Sequence, residues 1–149
     1  MTNILIVCMG NVCRSPAAQM ILNHLNSEKY QYEINFRSAG ILNMPGKPMH
    51  KLSKKFLTES GVPCSFHSSN TLNEKKASWA DLIYFFDFEI YDSLVKKFPK
   101  HKKKFQLLGK YNDGLIIQDP IKMNKKEYAL VMKNLYTSCQ LTLDKLKNE

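Results

Sequence analysis

Short apolar runs recur along the chain and predict the strands of a sheet. Residues 4–8 (ILIVC) and 80–86 (ADLIYFF) are almost continuously apolar, which is typical of strands buried on both faces of a parallel sheet. Residues 32–37 predict a further strand that SAG at residues 38–40 closes, and residues 105–108 predict a short one. The pattern therefore indicates four strands, two of which are buried on both faces.

Amphipathic segments with helical spacing separate these strands. A helix is predicted to begin at Ser15, with the serine as N-cap and the following proline at the first helical position. Further helices are predicted over residues 48–60 and 89–98, and a long C-terminal helix over residues 128–146. Because strands alternate with helices, we expect an α/β fold: one domain over residues 1–149, with a four-stranded parallel sheet and helices on both faces.

Composition and charge fit a globular domain with anionic partners. A chain of 149 residues is long enough for a single core, and its 44% hydrophobic and 23% charged residues are close to the globular average. Twenty-two Lys and Arg against 13 Asp and Glu give a net charge of +9. This charge favours binding to phosphorylated groups, nucleic acid or an acidic membrane surface, but it does not indicate which of these is the partner.

The N-terminal sequence, the lengths of the apolar stretches and the cysteines indicate the cellular compartment of the protein. The N-terminal apolar run is too short for a signal-peptide core, and no apolar stretch approaches the roughly 20 residues that span a bilayer. The four cysteines show neither a zinc spacing nor the density of a secreted disulfide scaffold. A metal clip from Cys8 and Cys13 would lack two further ligands. We therefore expect a cytoplasmic protein with reduced thiols, no membrane insertion and no metal.

The segment CMGNVCRSP, at residues 8–16, carries the candidate chemistry. If its backbone N–H groups turn inward, they form an anion site, to which the helix start adds its positive end. Arg14 offers a planar fork of donors for two phosphate oxygens. These features favour the thiolate form of Cys8, which can attack phosphorus in line and give a phosphocysteine that water hydrolyses. Such a segment lies where ligands bind in doubly wound sheets, at the carboxyl ends of the strands.

Of the other residues of this segment, one has a single interpretation and three have two each. Gly10 suits a loop that needs unusual backbone dihedral angles. Asn11 would hold the loop through side-chain bonds to the backbone, or is an ordinary turn residue. The Ser15 hydroxyl would donate to the Cys8 thiolate, or only caps the helix. Cys13 would form a reversible disulfide with Cys8 that protects the nucleophile, or is a small buried hydrophobe.

The segment VCMGNVCRSP resembles the signature of the low-molecular-weight protein tyrosine phosphatases, in which a strand is followed by Cys, five residues, Arg and Ser. The likeness extends through SAG at residues 38–40, the segment around His67, ADLI at residues 80–83 and DP at residues 119–120. It implies the flavodoxin-like fold of the phosphotyrosine phosphatase I type and an enzyme without a cofactor.

The resemblance also implies roles for single residues. Cys8 is then the nucleophile and Arg14 the phosphate clamp. Phosphoryl transfer leaves a phenolate that needs a proton, and Asp119 is the candidate general acid, although an Asp-Pro pair can simply turn the chain. His67 matches a histidine that helps to hold the asparagine of the loop. Asp87 matches an acidic residue that faces the active site, and we place both outside catalysis proper.

Substrate-binding residues follow from the same resemblance. The loop residues assigned to substrate binding are Met9, Gly10, Asn11, Val12, Cys13 and Ser15. Met44 and Ile121 complete the pocket walls, which are apolar without being aromatic. This aliphatic pattern resembles the bacterial branch associated with capsule or exopolysaccharide export, whose members dephosphorylate tyrosine-rich tails of membrane kinases. We expect a phosphotyrosine protein as partner, with an autophosphorylated kinase tail as the candidate, and the lysine run at residues 96–104 either attracts it or is a solvated surface.

Three other functions compete with this one. Arsenate reductases of a related fold share the loop and SAG but use further cysteines after the third strand, and residues 65–138 contain none. Protein arginine phosphatases of this fold carry threonine where this chain has Val12. A basic nucleic-acid-binding module is suggested by the charge and the lysine run. It leaves the Cys8 segment without a purpose, so we expect no nucleic acid partner.

Overall fold

Strands and helices alternate through residues 1–146, the part of the chain that the computed structural model describes. The strands are β1 (Thr2–Cys8), β2 (Ile34–Gly40), β3 (Leu82–Phe85) and β4 (Phe105–Leu107). The helices are α1 (Arg14–Leu25), α2 (Lys51–Glu59), α3 (Glu74–Trp79), α4 (Phe88–Lys97) and α5 (Lys125–Leu146). Short π- and 3₁₀-helical turns occupy Asn26–Tyr30, Pro99–Lys104 and Leu108–Tyr111.

The four strands form one parallel sheet in the order β2-β1-β3-β4. The chain leaves β1 toward one side of the sheet and later returns to its other side, so the strand order reverses at β1. Crevices for ligands form at the carboxyl ends of strands at such a reversal. Cys8 is the last residue of β1 and pairs with Gly40 at the end of β2. The fold thus places the cysteine segment at this crevice.

The core confirms the predicted fold class. Residues Ile4, Leu5, Ile6 and Val7 are all buried, and successive residues of a strand point to opposite faces. Both faces of β1 are therefore covered, as the apolar run predicted. Helix α1 packs against β1, β2 and α5, while α4 packs against β3. None of the described helices combines the length and the apolar character needed to cross a bilayer.

Three details differ from the sequence prediction. Strand β2 extends through Gly40, although SAG was expected to close it, because its end continues the pairing with β1 up to Cys8. Helix α3 was missed because it is short and only Ala77 is buried in it. Ser15 is not the N-cap of α1: the helix begins at Arg14, the cap residue is Cys13, and no side chain caps it. The Ser15 hydroxyl is engaged elsewhere.

Candidate active site

A pocket of about 190 Å³ opens at the carboxyl end of β1. Its lining residues are Cys8, Met9, Gly10, Val12, Cys13, Arg14, Leu42, Met44, Asp119 and Ile121. The structure therefore brings together every predicted site residue except Asn11 and Ser15. Those two are fully buried and do not line the pocket, so their side chains support the loop instead of contacting a ligand.

Cys8 lies at the bottom of this arrangement and is 2% exposed. Its Sγ lies 2.9 Å from the Oγ of Ser15. The Asn11 side-chain amide donates to the same Oγ over 2.8 Å, so the Ser15 oxygen already accepts a hydrogen bond. The other acceptor near the Ser15 hydroxyl, the carbonyl oxygen of Ala39, is farther away at 3.5 Å. The Ser15 hydroxyl is therefore placed to donate to a negatively charged Cys8 sulfur.

Asn11 fixes the shape of the loop. Its φ of 57° is left-handed, whereas Gly10, which was expected to supply the unusual dihedral angle, has no positive φ. Asparagine tolerates this region because its side chain can bond locally. Here the side chain donates to Ser38 Oγ (3.0 Å) and accepts from the Asn70 backbone N–H (3.0 Å). The Asn11 carbonyl oxygen lies 2.8 Å from His67 Nε2, in agreement with the role that the resemblance implied for this histidine.

Arg14 is held by partners behind the pocket. The guanidinium is 1% exposed, and its Nη1 donates to Asp87 Oδ2 and to the Ile117 carbonyl oxygen, each over 2.7 Å. A buried charge of this kind is tolerated because it is paired and hydrogen-bonded. Asp87 also accepts from the Ile90 N–H and so caps α4. Because these bonds engage Nη1, the Nη2 and Nε hydrogens remain for an anion in the pocket.

Asp119 reaches the pocket from an irregular segment that precedes α5. Its Oδ2 lies 3.9 Å from Arg14 Nη2, and the side chain is 43% exposed. The other oxygen, Oδ1, accepts a hydrogen bond from the Ile121 backbone N–H over 3.1 Å. The carboxyl group thus stands at the pocket entrance, within reach of a leaving group and in contact with water. This is the placement that a general acid requires.

Cys13 differs from Cys8 in its surroundings, and both thiols are free. Burial raises the pKa of Cys13 to about 11, although a hydrogen bond from the Tyr128 hydroxyl opposes the shift. Ser53 Oγ donates to the Cys13 carbonyl oxygen over 3.0 Å and lies 2.6 Å from the Tyr128 hydroxyl. Cys13 is therefore a neutral thiol at pH 7, and its backbone is tied to α2 and α5.

Several residues of the site were not found from the sequence. Leu42 lines the pocket and is 44% exposed, and its N–H donates to the Met9 carbonyl oxygen over 2.8 Å. An apolar residue just after the SAG segment was the available signal for it. The signal for Ser53 was a serine on an otherwise apolar helix face. Nothing in the sequence linked Ser38 or Asn70 to Asn11, because these contacts arise only in the folded chain.

The fold and the site together define a class of protein. A parallel α/β sheet carries, at the end of its first strand, a loop with a cysteine and, six residues later, an arginine. The loop surrounds a small pocket, a carboxyl group stands at its entrance, and the arginine keeps donors for an anion. These features characterise phosphatases that bind the phosphate group within a cysteine-containing loop.

Comparison with known proteins gives the family. The low molecular weight phosphotyrosine protein phosphatase family matches residues 3–149, and the chain belongs to this family. It is 27% identical over 138 residues to the low molecular weight protein-tyrosine-phosphatase Wzb of Escherichia coli K12, covering 93% of this chain and 90% of that protein. It is 29% identical over 148 residues to the protein-arginine-phosphatase of Geobacillus stearothermophilus, covering 98% and 97%.

A solved structure agrees with these relatives. The structure of Vibrio vulnificus Wzb in complex with benzylphosphonate superposes with a TM-score of 0.88 at 27% identity. The match covers 97% of this chain and 98% of that one. The resemblance to the family and to its bacterial branch, which the sequence predicted, is confirmed.

Proposed function

We propose that the chain hydrolyses phosphotyrosine in proteins through a phosphocysteine intermediate. One observation carries the proposal: the Sγ of Cys8, with the Ser15 hydroxyl 2.9 Å away, shares one pocket with Arg14 and Asp119. A nucleophile, a bidentate anion donor and a proton donor are the three groups that this reaction needs. Family membership adds independent support.

In the first step the Cys8 thiolate attacks the phosphorus from the side opposite the ester oxygen. The S–P bond forms while the P–O bond to the aryl group breaks, and the electron pair leaves with the phenolate oxygen. Asp119 gives its proton to that oxygen, so that a neutral phenol leaves. Arg14 binds two phosphoryl oxygens through Nη2 and Nε and stabilises the charge that develops on them.

In the second step a water molecule attacks the phosphocysteine. Asp119, now a carboxylate, accepts a proton from the water while the P–S bond breaks. The electron pair returns to Cys8 as a thiolate, to which the Ser15 hydroxyl donates, and inorganic phosphate leaves. The two steps balance without an oxidant, a metal or an organic cofactor.

The pocket walls favour an aryl phosphate. They are aliphatic or thioether side chains, and the charged residues of the lining are Arg14 and Asp119 alone. A flat apolar ring buries its faces against such walls, with no polar group of the substrate left unpaired. The walls also contain no aromatic side chain, so the selectivity for a ring rests on burial instead of stacking.

The Geobacillus relative that matches 98% of this chain is a protein-arginine-phosphatase, and it supplies a second candidate substrate. Phosphoarginine carries N–H donors next to the phosphate, and Val12 offers no acceptor to them. An arsenate reductase needs resolving cysteines after β3, and residues 65–138 contain none. The chemistry of the pocket therefore favours phosphotyrosine over both alternatives.

The test compares kcat/KM on three peptides of one sequence that carry phosphotyrosine, phosphoserine or phosphoarginine. We expect phosphotyrosine to be preferred over phosphoarginine by at least about tenfold, the discrimination typical of one well-fitting apolar group. Val12→Thr should shift the ratio toward phosphoarginine, while the matched apolar variant Val12→Ile should not. A ratio that favours phosphoarginine in the unaltered chain would refute the assignment.

An autophosphorylated tyrosine kinase tail is the partner class that we propose. Its support is the resemblance to the bacterial branch and the net charge of +9. Four free thiols and a reactive Cys8 suit the reducing conditions of a cytoplasm. The check is binding of a tail peptide to Cys8→Ser: tighter binding of the phosphorylated than of the unphosphorylated peptide supports the proposal, and equal binding argues against it.

A further inference from the structure

A second cavity, of about 720 Å³, lies beside β2, one of the two edge strands of the sheet. It shares no lining residue with the catalytic pocket, which is about 190 Å³. Its walls come from α1, α3, the end of β2 and the irregular segment at residues 65–68. A volume of this size is in the range of sites that bind small molecules, and the proposed reaction does not use it.

The lining of this cavity is cationic and aromatic. Arg37, Lys75 and Lys76 contribute positive charge, and no aspartate or glutamate is among the lining residues. Arg37 is one of two arginines in the chain, the other being Arg14. Its guanidinium lies over the ring of Trp79, 4.4 Å from the centroid, and Phe66 is 93% exposed at the same cavity.

The positive charge of this cavity is incompletely neutralised. Lys76 donates to the Asn70 side chain and to the Thr71 carbonyl oxygen, over 2.9 and 2.7 Å. Within residues 1–146, by contrast, neither Arg37 nor Lys75 takes part in an ion pair. An anion that enters would therefore gain charge-assisted hydrogen bonds, and an attached ring would pack on Trp79 or Phe66.

Three residues join this cavity to the catalytic loop. Ser38, His67 and Asn70 line the cavity, and each of them hydrogen-bonds to Asn11. Asn11 in turn donates to Ser15 Oγ, which lies 2.9 Å from the nucleophilic sulfur. Two side chains, Asn11 and Ser15, thus separate the wall of the cavity from Cys8. Because these bonds also hold the left-handed backbone of Asn11, a ligand that moves the wall moves the loop.

We propose that this cavity binds a small aromatic anion and that its occupancy alters the Cys8 loop through Ser38, His67 and Asn70. The anion bonds to Arg37 and Lys75, and the ring packs against the exposed Phe66 or the half-buried Trp79. The binding half of the proposal does not depend on the proposed function. The coupling half requires only that the bonds to Asn11 respond to the ligand.

Benzylphosphonate, an aromatic anion that is not hydrolysed, is the probe. Calorimetric titration of the full chain should give two molecules per chain, and one molecule once orthovanadate fills the phosphate position of the catalytic pocket. Arg37→Ala should weaken the vanadate-resistant site by at least about tenfold. Lys133→Ala, which removes a positive charge from the exposed surface of α5, is the matched control and should bind like the unaltered chain.

The outcomes separate the two sites. Loss of all benzylphosphonate binding in the presence of vanadate overturns the proposal, as does equal binding by Arg37→Ala and Lys133→Ala. If the chain binds one benzylphosphonate molecule and vanadate does not displace it, the proposed function fails while the second site is supported. In the vanadate-saturated chain, the backbone amide signal of Asn11 should shift in nuclear magnetic resonance spectra when benzylphosphonate is added. An unmoved Asn11 signal, with binding intact, refutes the coupling.

Discussion

Arg14 is paired within a nearly closed environment, where Asp87 Oδ2 lies 2.7 Å from Nη1. The ring of Phe86, 5.5 Å from the guanidinium carbon, adds a favourable cation–π contact. The side chain is thus fixed before any substrate arrives, and phosphate binding costs little rotamer entropy. Lysine at this position would keep the charge but lose the planar fork. The residue therefore orients the phosphate as well as neutralising it.

The role of Asp119 as general acid can be tested with substrates whose leaving groups differ in their need for a proton. We expect Asp119→Ala to lower kcat/KM, which reports the first step, by about 10² to 10⁴ for phenyl phosphate, whose leaving group needs a proton, and by less for p-nitrophenyl phosphate. Asp119→Asn, which keeps an acceptor for the Ile121 N–H but has no acidic proton, should behave like Asp119→Ala. Steady-state kinetics over a series of aryl phosphates provide the measurement. An equal loss for all leaving groups would exclude Asp119 as the acid.

Cys13 makes the proposed redox protection dependent on pH. After peroxide converts Cys8 to a sulfenic acid, the Cys13 thiolate attacks that sulfur, an S–S bond forms and hydroxide leaves. Because burial raises the pKa of Cys13 to about 11, the thiolate fraction grows about tenfold per pH unit between pH 7 and pH 10. We expect the rate of disulfide formation to rise accordingly, as measured by quenching with a thiol reagent and mass spectrometry.

The variant Cys13→Ser supplies the control for this redox prediction. It should form no disulfide and should accumulate irreversibly oxidised Cys8. A pH-independent rate in the unaltered chain would show that Cys13 is not the resolving thiol, and the absence of a disulfide between residues 8 and 13 would remove the protective role altogether.

Among the elements, β1 and α5 were predicted because their patterns are strong and local. An unbroken apolar run predicted β1, and apolar residues at helical spacing over residues 128–146 predicted α5. The extension of β2 through Ser38, Ala39 and Gly40 was not predictable, because these residues have little strand propensity. The register with β1 holds them extended. Tertiary contact thus overrode local preference at the edge of the site.

The catalytic residues were accessible from the sequence for a different reason. Cys8 and Arg14 belong to one short motif, and Asp119 to a second one, so each is visible without the fold. The supporting contacts of Asn11 with Ser38 and Asn70 join segments 27 and 59 residues apart. Only the folded chain shows such partners, because no local pattern specifies them.

Gly40 lets the end of β2 approach the catalytic loop. A Cβ at this position would lie 2.9 Å from the Met9 carbonyl oxygen and 3.0 Å from the Asn11 nitrogen, both backbone atoms. We therefore expect Gly40→Ala to displace the loop, to lower the free energy of unfolding by about 1–3 kcal/mol and to reduce kcat/KM by at least about tenfold. Chemical denaturation and kinetics measure the two effects.

Gly10→Ala is the matched variant for this comparison. Its Cβ would meet nothing closer than the Met44 sulfur at 3.6 Å, so it should cost less stability than Gly40→Ala. Equal stability losses for the two variants would show that close approach is not the reason for glycine at residue 40.

At the scale of the whole molecule, the lysine run lies at the opposite edge of the sheet from the pocket. It ends directly before β4, at the amino ends of the strands, whereas Cys8 ends β1 at the carboxyl edge. The register places Phe105 level with Leu5, through Ile83, so at least three residues of strand, about 10 Å, separate the run from Cys8 along the strand direction. This exceeds the Debye length of about 8 Å at physiological salt. We therefore expect this run to act as a solvated surface and not to draw an acidic tail into the active site.

A double substitution tests this separation. We expect Lys102→Ala combined with Lys103→Ala to change kcat/KM on an acidic phosphotyrosine peptide by less than about twofold at physiological ionic strength. Lys104 is left in place because it donates to the Ala77 carbonyl oxygen. A small aryl phosphate, which carries no acidic peptide for the lysines to attract, serves as the control. A selective loss on the peptide of more than about fivefold would show that the run does steer substrate.

The central claim is that Cys8 carries the phosphoryl group during turnover. The direct measurement is rapid acid quench of the chain during turnover of p-nitrophenyl phosphate, followed by mass spectrometry of the peptide that contains Cys8. We predict one phosphoryl group on Cys8, and none in Cys8→Ser, which should lose turnover while it still binds inorganic phosphate. Retained turnover in Cys8→Ser, or a phosphoryl group on another residue in the unaltered chain, would contradict the mechanism.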